Sequence, residues 1–158
     1  MFWANWLISC LEINYLFRKC SNWFTMNKIE HIGIAVKSLE EAIPRYEQLL
    51  QTPCYKTEKV ESEQVNTAFF RVAESKIELL ESADPLGVIA KFIEKRGEGL
   101  HHTAYEVTNI EAEMSRLKEA GFVLLSEKPK KGADNKWVCF VHPKTTNGVL
   151  IELCQEIR

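Results

Sequence analysis

Apolar and polar residues alternate over several short stretches of the chain, and such alternation predicts half-buried β-strands. Ile29–Val36 is the first of these stretches. Its large apolar side chains fall on one face, whereas the other face carries His31 with two small neighbours, Gly33 and Ala35. The small neighbours leave space beside the imidazole.

The first half of the chain predicts the element order β-α-β-β-β. A helix begins after a capping box formed by Ser38 and Glu41, and it ends near Leu50 because Thr52-Pro53 stops it. Three further strands follow, at Cys54–Val60, Val65–Val72 and Lys76–Glu81.

The second half predicts the same order. A connecting segment, Asp84–Gly99, contains a short amphipathic helix, and a helix with a capping box at Thr108 and Glu111 ends at Gly121. The predicted strands are His102–Val107, Val123–Ser126, Trp137–His142 and Gly148–Cys154. Lys128–Lys136 is a long polar loop, and we expect it to be the most mobile element.

Two pairs of residues indicate that the halves are copies of each other. His31 corresponds to His102, 71 residues later, and Glu78 corresponds to Glu152, 74 residues later, each Glu within an Ile-Glu-Leu run. The sequence therefore predicts one α+β domain over residues 26–158. It consists of tandem βαβββ modules at about 27–83 and 100–156, joined by segment 84–99.

The duplicated residues also predict chemistry. A single carboxylate in an apolar strand is costly to bury unless it is paired or bound to a cation, although it can also lie on a solvent face. Four residues at duplicated positions favour one site, in which two neutral imidazoles and two carboxylates surround a divalent ion. Such a shell suits Co2+, Ni2+, Zn2+, Mn2+ or Fe2+, and it leaves positions open to water or substrate.

Composition narrows the classes of partner. With 158 residues and a formal net charge of −2, the chain shows no global preference for nucleic acid or for an anionic membrane. The five cysteines are odd in number and form no CxxC pair, which indicates reduced thiols in an intracellular protein.

Residues 1–25 differ from the rest of the chain, since they hold three of its four tryptophans. Polar residues interrupt their apolar stretches, so the segment is too broken for a membrane span and lacks the pattern of a signal peptide. We interpret it as a non-native or loosely attached extension before a start at Met26. The alternative is an amphipathic helix that binds a membrane or a partner.

Four sequence motifs after this extension are characteristic of a known protein family: HIGIAVKSLEEA, KIELLE, GEGLHHTAYEV and the closing HPK…NGVLIEL. Through them, residues 27–158 resemble the vicinal-oxygen-chelate (glyoxalase/bleomycin-resistance) superfamily and, within it, the methylmalonyl-CoA epimerases. The resemblance implies a curved mixed sheet around a metal site whose ligands are His31, Glu78, His102 and Glu152. It also implies an acyl-CoA substrate, a homodimer, and a divalent ion, with Co2+ favoured over Ni2+, Mn2+ or Zn2+. The implied location is the cytoplasm, or the mitochondrial matrix if the source is a eukaryote.

The reaction implied by the resemblance interconverts (R)- and (S)-methylmalonyl-CoA by a 1,1-proton transfer through an enolate, whose charge a metal ion would stabilise. The transfer needs two proton-carrying groups or one mobile group. The resemblance assigns Glu152 as one base, whereas the family position of the second base falls on Ala68, which cannot transfer a proton. Glu78 is the candidate by symmetry, and Glu63, at the edge of a loop, is the other.

Several polar residues are candidates for substrate binding, although each can equally be an ordinary surface residue. Gln64 is a candidate for the substrate carboxylate. The candidates for the phosphates of coenzyme A are Lys128, Lys130, Lys131 and Lys144.

Two other functions fit the same fold. The first is another enzyme of the superfamily, a lactoylglutathione lyase or an iron dioxygenase, but a dioxygenase would need only one carboxylate beside its two histidines. The second is a metal-free resistance protein that sequesters its ligand. It gives no reason for the four ligand residues to recur across the duplication, and purified protein without stoichiometric metal would favour it.

Overall fold

The computed structural model describes residues 26–158, and both interpretations of residues 1–25 lie outside this range. The elements in chain order are β1 (Met26–Ala35), α1 (Leu39–Leu50), β2 (Lys56–Val60), β3 (Val65–Val72), β4 (Ser75–Ser82), α2 (Val88–Arg96), β5 (Gly99–Val107), α3 (Ile110–Glu119), β6 (Lys130–Lys131), β7 (Lys136–Val141) and β8 (Ile151–Glu156). A 3-10 turn at Pro143–Thr145 precedes β8.

Polar side chains define the starts of the two longer helices. The hydroxyl of Ser38 accepts a hydrogen bond from the backbone N–H of Glu41 at 3.3 Å, as the predicted capping box requires. In the second half the cap is Asn109, whose side-chain oxygen accepts from the N–H of Ala112 at 3.0 Å. The predicted cap at Thr108 is wrong by one residue, because Asn is a stronger N-cap residue than Thr.

The strands form one mixed sheet in the order β2-β3-β4-β1-β5-β8-β7-β6. At its centre β1 and β5 run antiparallel, while β4 is parallel to β1 and β8 is parallel to β5. The two halves are therefore related by a pseudo-twofold axis between β1 and β5. The predicted α+β fold, with tandem βαβββ modules and a curved mixed sheet, is confirmed.

One predicted strand differs from the structure. The stretch Val123–Ser126 is reduced to a single bridge between Leu124 and Val141. Pairing along β7 resumes at β6, inside the segment that the sequence predicts as a loop. Pro129 lies between the two pieces and has no N–H to donate, which explains why the strand is interrupted.

Alternation along the strands gives the sheet two different faces. One face packs against α1 and α3 in two apolar clusters, which contain Ala68 and Leu79 beside α1, and Cys139 and Leu153 beside α3. The opposite face lines a cavity. Within residues 26–158, none of the helices has the length and apolar composition needed to cross a membrane.

The two edges of the sheet approach each other. The backbone N–H of Asp134 donates to the carboxylate of Glu58 on β2 at 3.0 Å, and Lys56 Nζ lies 3.1 Å from the Asp134 carboxylate. The hydroxyl of Ser62 donates to the carbonyl of Lys131 at 3.4 Å. These are side-chain contacts rather than a ladder of strand hydrogen bonds, so the sheet curls into an incomplete barrel around the cavity.

Candidate metal centre

Four side chains from four strands meet on the concave face of the sheet. The Nε2 atoms of His31 and His102 are 2.9 Å apart. Glu78 Oε2 lies 3.2 Å from Nε2 of His31 and 3.7 Å from Nε2 of His102, and Glu152 Oε2 lies 3.5 Å and 3.1 Å from the same atoms. These are the four residues that the sequence predicts as metal ligands, and we call them the four ligand candidates.

Strand register explains why the four ligand candidates meet. Across the central β1–β5 pair each histidine lies opposite a small residue, Ala104 for His31 and Gly33 for His102. On their other sides the same small residues pair with the two glutamates. Each small position therefore lies between a histidine and a glutamate and leaves room for both side chains.

Gly33 is needed for this packing. A Cβ atom at residue 33 would lie 2.2 Å from Cε1 of His102, which is closer than non-bonded carbons approach each other. The space that the sequence predicts beside Gly33 is therefore present. The ring that fills it belongs to His102 on the neighbouring strand rather than to His31.

The separations between the donor atoms fit a metal-ligand shell. Donors that are each about 2.1 Å from one octahedral ion are about 3 Å from their neighbours. The four histidine–glutamate separations and the one between the histidines range from 2.9 to 3.7 Å. All four side chains are buried, and buried carboxylates are unfavourable without a counter-charge. The donor set and its burial therefore fit a divalent cation.

The protonation of the centre supports the same interpretation. Burial opposes ionisation of Glu152, but the charges and hydrogen bonds of His31 and His102 outweigh it and lower the pKa of Glu152 to about 2. Burial also opposes protonation of His31, but Glu152 and Glu78 outweigh it and raise the pKa of His31 well above its ordinary value. Without a cation, the centre therefore keeps a proton on His31 beside the ionised Glu152.

Glu30 supports the first imidazole. Its Oε2 lies 2.5 Å from Nδ1 of His31, and its Oε1 contacts Lys76 and lies 3.4 Å from Nζ of Lys136. Lys76 in turn contacts Asp134 at 2.6 Å. Burial opposes ionisation of Glu30, but His31 and Lys76 hold its pKa well below the usual range. A carboxylate bonded to Nδ1 orients the ring so that Nε2 is presented to an ion.

His101 supports the second imidazole in a different way. Its Nδ1 lies 2.9 Å from Nδ1 of His102, and its ring meets Phe92 edge-on with centroids 4.9 Å apart. Burial and the neighbouring His102 lower the pKa of His101 to about 4. His101 is therefore neutral at physiological pH, and its Nδ1 can accept a hydrogen bond from the Nδ1–H of His102.

Two β-bulges place these supports beside their histidines. Glu30 is the extra residue at a register shift on β1, and His101 is the extra residue at the matching shift on β5. A bulge interrupts the alternation of side chains, so the residue before each histidine can reach it. The sequence analysis missed both supports, and their equivalent positions before the two duplicated histidines were the signal available.

A cavity of about 210 Å³ opens onto the four ligand candidates. Its walls combine apolar side chains with polar ones from both halves, which include Glu63, Thr67, Ser126 and Lys130. The cavity thus offers a mainly apolar space with a few polar groups beside the metal centre, as binding sites for small molecules commonly do.

The predicted proton carriers fall in three different environments. Ala68, the family position of the second base, packs in the cluster beside α1, while the adjacent Thr67 lines the cavity. Glu78 contacts both imidazoles within the metal centre. Glu63 lines the cavity outside the metal centre.

The predicted substrate-binding residues separate in the same way. Lys130 lines the cavity. Gln64 and Lys144 are exposed and lie outside the cavity lining, as do Lys128 and Lys131.

Comparisons with known proteins agree with this geometry. A family model described as the glyoxalase/bleomycin resistance protein/dioxygenase superfamily matches residues 30–140. The ethylmalonyl-CoA/methylmalonyl-CoA epimerase of Cereibacter sphaeroides is 41% identical over 132 residues, which cover 82% of this chain and 98% of the relative. The crystal structure of methylmalonyl-CoA epimerase from Mycobacterium tuberculosis is 33% identical, has a TM-score of 0.81, and covers 85% of this chain and 91% of its own. A methylmalonyl-CoA epimerase in complex with methylmalonyl-CoA and NH4+ is 28% identical, has a TM-score of 0.78, and covers 83% of this chain and 95% of its own.

Proposed function

The chain belongs to the glyoxalase/bleomycin resistance protein/dioxygenase superfamily, and on this premise we propose that it is a methylmalonyl-CoA epimerase. It would interconvert the (R) and (S) forms of methylmalonyl-CoA by moving a proton off one face of the α-carbon and onto the other. The observation that carries the proposal is the buried set of two histidines and two glutamates that faces the cavity. Identity of 41% to a relative named ethylmalonyl-CoA/methylmalonyl-CoA epimerase supports this class of substrate.

Four residues would hold a divalent metal ion: His31, Glu78, His102 and Glu152. The ion would supply electrophilic stabilisation of the negative charge that develops on the substrate oxygen when the α-proton leaves. Other residues of the chain would orient the ligands, because Glu30 contacts the imidazole of His31 and His101 contacts that of His102.

Glu152 is the first proton carrier in this proposal. When its carboxylate oxygen takes the α-proton, the electron pair of the C–H bond moves into the enolate and onto the thioester oxygen. Return of a proton to the opposite face restores the C–H bond and inverts the centre. Glu78, related to Glu152 by the pseudo-twofold axis, is the symmetric candidate for the second carrier.

Further parts of the proposal rest on the resemblance and on the position of single residues. Lys130 would contact the substrate, since it lines the cavity. Gln64 and Lys144 lie outside the cavity, so they would contact the substrate only where its coenzyme A portion extends beyond the cavity. Co2+ as the native ion, a homodimer and a cytoplasmic location are proposed by family resemblance. Elemental analysis and light scattering on the purified protein would test the first two.

The alternatives from the sequence receive no specific support from the site. A two-histidine, one-carboxylate dioxygenase does not explain the second buried glutamate, Glu78. A metal-free sequestering protein does not explain why two buried glutamates each lie within 3.7 Å of both imidazole Nε2 atoms.

The test of the proposed function is solvent deuterium uptake at the α-carbon of methylmalonyl-CoA, followed by mass spectrometry and chiral analysis. Metal-loaded protein should incorporate deuterium and lose stereochemical purity, and chelated protein should do neither. The variant His102→Ala, which lacks one ligand candidate, should also fail to incorporate deuterium. His142→Ala is its matched control, because His142 lies outside the cavity lining. Metal binding without any deuterium uptake would reject this substrate, and glutathione hemithioacetals would be tested next.

A further inference from the structure

Strand β3 provides no titratable group at the cavity. The side chains that it directs into the cavity are Val65, Thr67 and Phe69, and none of them titrates near neutral pH. Ala68 lies on the other face of the sheet. A two-group proton transfer in this chain must therefore take its second carrier from elsewhere in the cavity wall.

Glu63 has the position that the second carrier requires. The cavity lining contains five carboxylates: Glu30, Glu63, Glu78, Asp134 and Glu152. Four of them are held by histidine or lysine side chains. Within residues 26–158, Glu63 is the cavity carboxylate for which the structure shows no side-chain hydrogen bond or ion pair, so its oxygens are available to a substrate.

The backbone of Glu63 is held in place by its turn. Its N–H donates to the carbonyl of Val60 at 3.2 Å, and the N–H of Gln64 donates to the carbonyl of Glu61 at 3.3 Å. Gln64 adopts a left-handed backbone conformation, with a φ of 55°. Its carbonyl accepts from the N–H of Ala83 at 2.8 Å, which ties the turn to the end of β4.

The electrostatic environment of Glu63 suits a proton carrier. Burial raises the pKa of Glu63, and the charge of Glu152 adds to the rise while Lys130 opposes it. A carboxyl group with a raised pKa keeps its proton more readily and so suits the role of a general acid.

Glu78 has a different environment. Its Oε2 lies 3.2 and 3.7 Å from the two imidazole Nε2 atoms, the same arrangement that makes it a ligand candidate. Glu152 lies in the same centre, so Glu78 and Glu152 occupy one place in the cavity, whereas the two faces of an α-carbon need carriers at two places. Glu63 keeps both carboxylate oxygens outside this centre.

We propose that Glu63 is the second catalytic carboxylate of the proposed epimerase and serves the face of the α-carbon opposite to Glu152. In one direction Glu152 takes the α-proton, the C–H electron pair passes to the thioester oxygen, and the carboxylic acid of Glu63 returns its own proton to carbon as that electron pair re-forms a C–H bond. Glu152 then holds a proton and Glu63 holds none, and exchange with solvent resets both. The reverse reaction uses Glu63 as the base. This inference rests on the proposed function.

The experiment uses each epimer of methylmalonyl-CoA separately in deuterium oxide with metal-loaded protein. Glu63→Gln should lower epimerisation at least about 100-fold, the low end for loss of a general acid or base. It should still exchange the α-proton of one epimer, through Glu152, and fail to exchange the other. Its metal content should equal that of the wild type. Glu61→Gln is the matched control, because Glu61 lies in the same turn and pairs with Lys59 in solvent.

Each other outcome identifies what has failed. If the wild type is active and Glu63→Gln epimerises at the same rate, the role of Glu63 is overturned and the proposed function stays intact. One-sided exchange in metal-loaded Glu78→Gln, but not in Glu63→Gln, assigns the second carrier to Glu78 and also overturns the proposal. Wild type that exchanges neither epimer rejects the proposed function itself.

Discussion

The two halves of the centre supply the same donor atoms but support them differently. Each half contributes one histidine and one glutamate, at positions related by the pseudo-twofold axis. The residue before the histidine is Glu30 in the first half and His101 in the second. Glu30 joins a charged network with Lys76 and Lys136, whereas His101 meets the ring of Phe92.

This difference shows which part of a duplicated site is constrained. In the proposed site the donor atoms must stay equivalent, because both halves would bind the same ion. The supports need only fix the orientation of a ring, and a carboxylate or a neutral imidazole can each do so from Nδ1. The supports are therefore free to diverge, and their divergence makes one side of the centre charged and the other side more apolar.

The largest effect should follow from removing a donor on either side. His31→Ala and His102→Ala should each abolish stoichiometric metal binding and activity, because each variant keeps only three of the four donors. Loss of the ion would in turn leave the buried carboxylates without their counter-charge. Elemental analysis and turnover measure the result, with circular dichroism as the check on folding. A variant of either histidine with full turnover would contradict the ligand assignment.

The next effect should separate the two supports. Glu30→Gln should weaken metal binding about 10- to 100-fold, as expected for loss of a charged partner of a ligand histidine. His101→Asn should weaken it less, because the lost partner is neutral. Chelator competition with both variants measures the two affinities, and equal losses would show that the charge of Glu30 has no special role.

The pH dependence of metal binding tests the protonation of the first half. Because the pKa of His31 is raised in the ion-free protein, this histidine must lose a proton before it can bind an ion. Metal affinity should therefore rise about tenfold per pH unit below that pKa. The stabilisation that His31 provides to ion-free protein should be complete below an unfolded pKa of about 6.5 and lost as pH rises through the folded value. Calorimetry in buffers of different ionisation enthalpy should detect proton release, and its absence would reject this protonation state.

The smallest expected effect concerns the outer part of the charged network. Asp134→Asn should reduce the free energy of unfolding by about 1 kcal/mol or less, since its contacts to Lys56 and Lys76 are partly exposed. Burial opposes ionisation of Asp134, but the two lysines outweigh it and lower its pKa. Its contribution should thus be present above the unfolded pKa of about 3.9 and lost as pH falls through the folded value. Urea unfolding of Asp134→Asn and of the exposed control Glu94→Gln, each at neutral and acidic pH, measures the difference. A loss that is the same at both pH values would argue against an electrostatic origin.

Much of the fold could be predicted because it depends on local pattern. The cap at Ser38 and the strand around His31 follow from residues within a few positions of each other. The predictions failed where two adjacent residues could each cap a helix, as Thr108 and Asn109 could, and where Pro129 interrupts a strand beside β7.

The four ligand candidates could be selected for a related reason. A duplication carries its positional equivalence in the sequence, so His31 and His102, and Glu78 and Glu152, can be matched without knowing how the strands pair. Sequence periodicity therefore determined the fold class, and the duplicated residues determined which side chains are the candidate donors.

Only the tertiary structure decided how the site is completed. The bulges that turn Glu30 and His101 towards the histidines depend on the register between β1 and β5, which belong to different halves of the chain. Placement of Glu63 in the cavity wall depends on the curvature that brings the two sheet edges together. Alternation fixes which face of each strand is buried. The positions of the bulges and the curvature of the sheet instead depend on pairing between strands that are distant in the sequence.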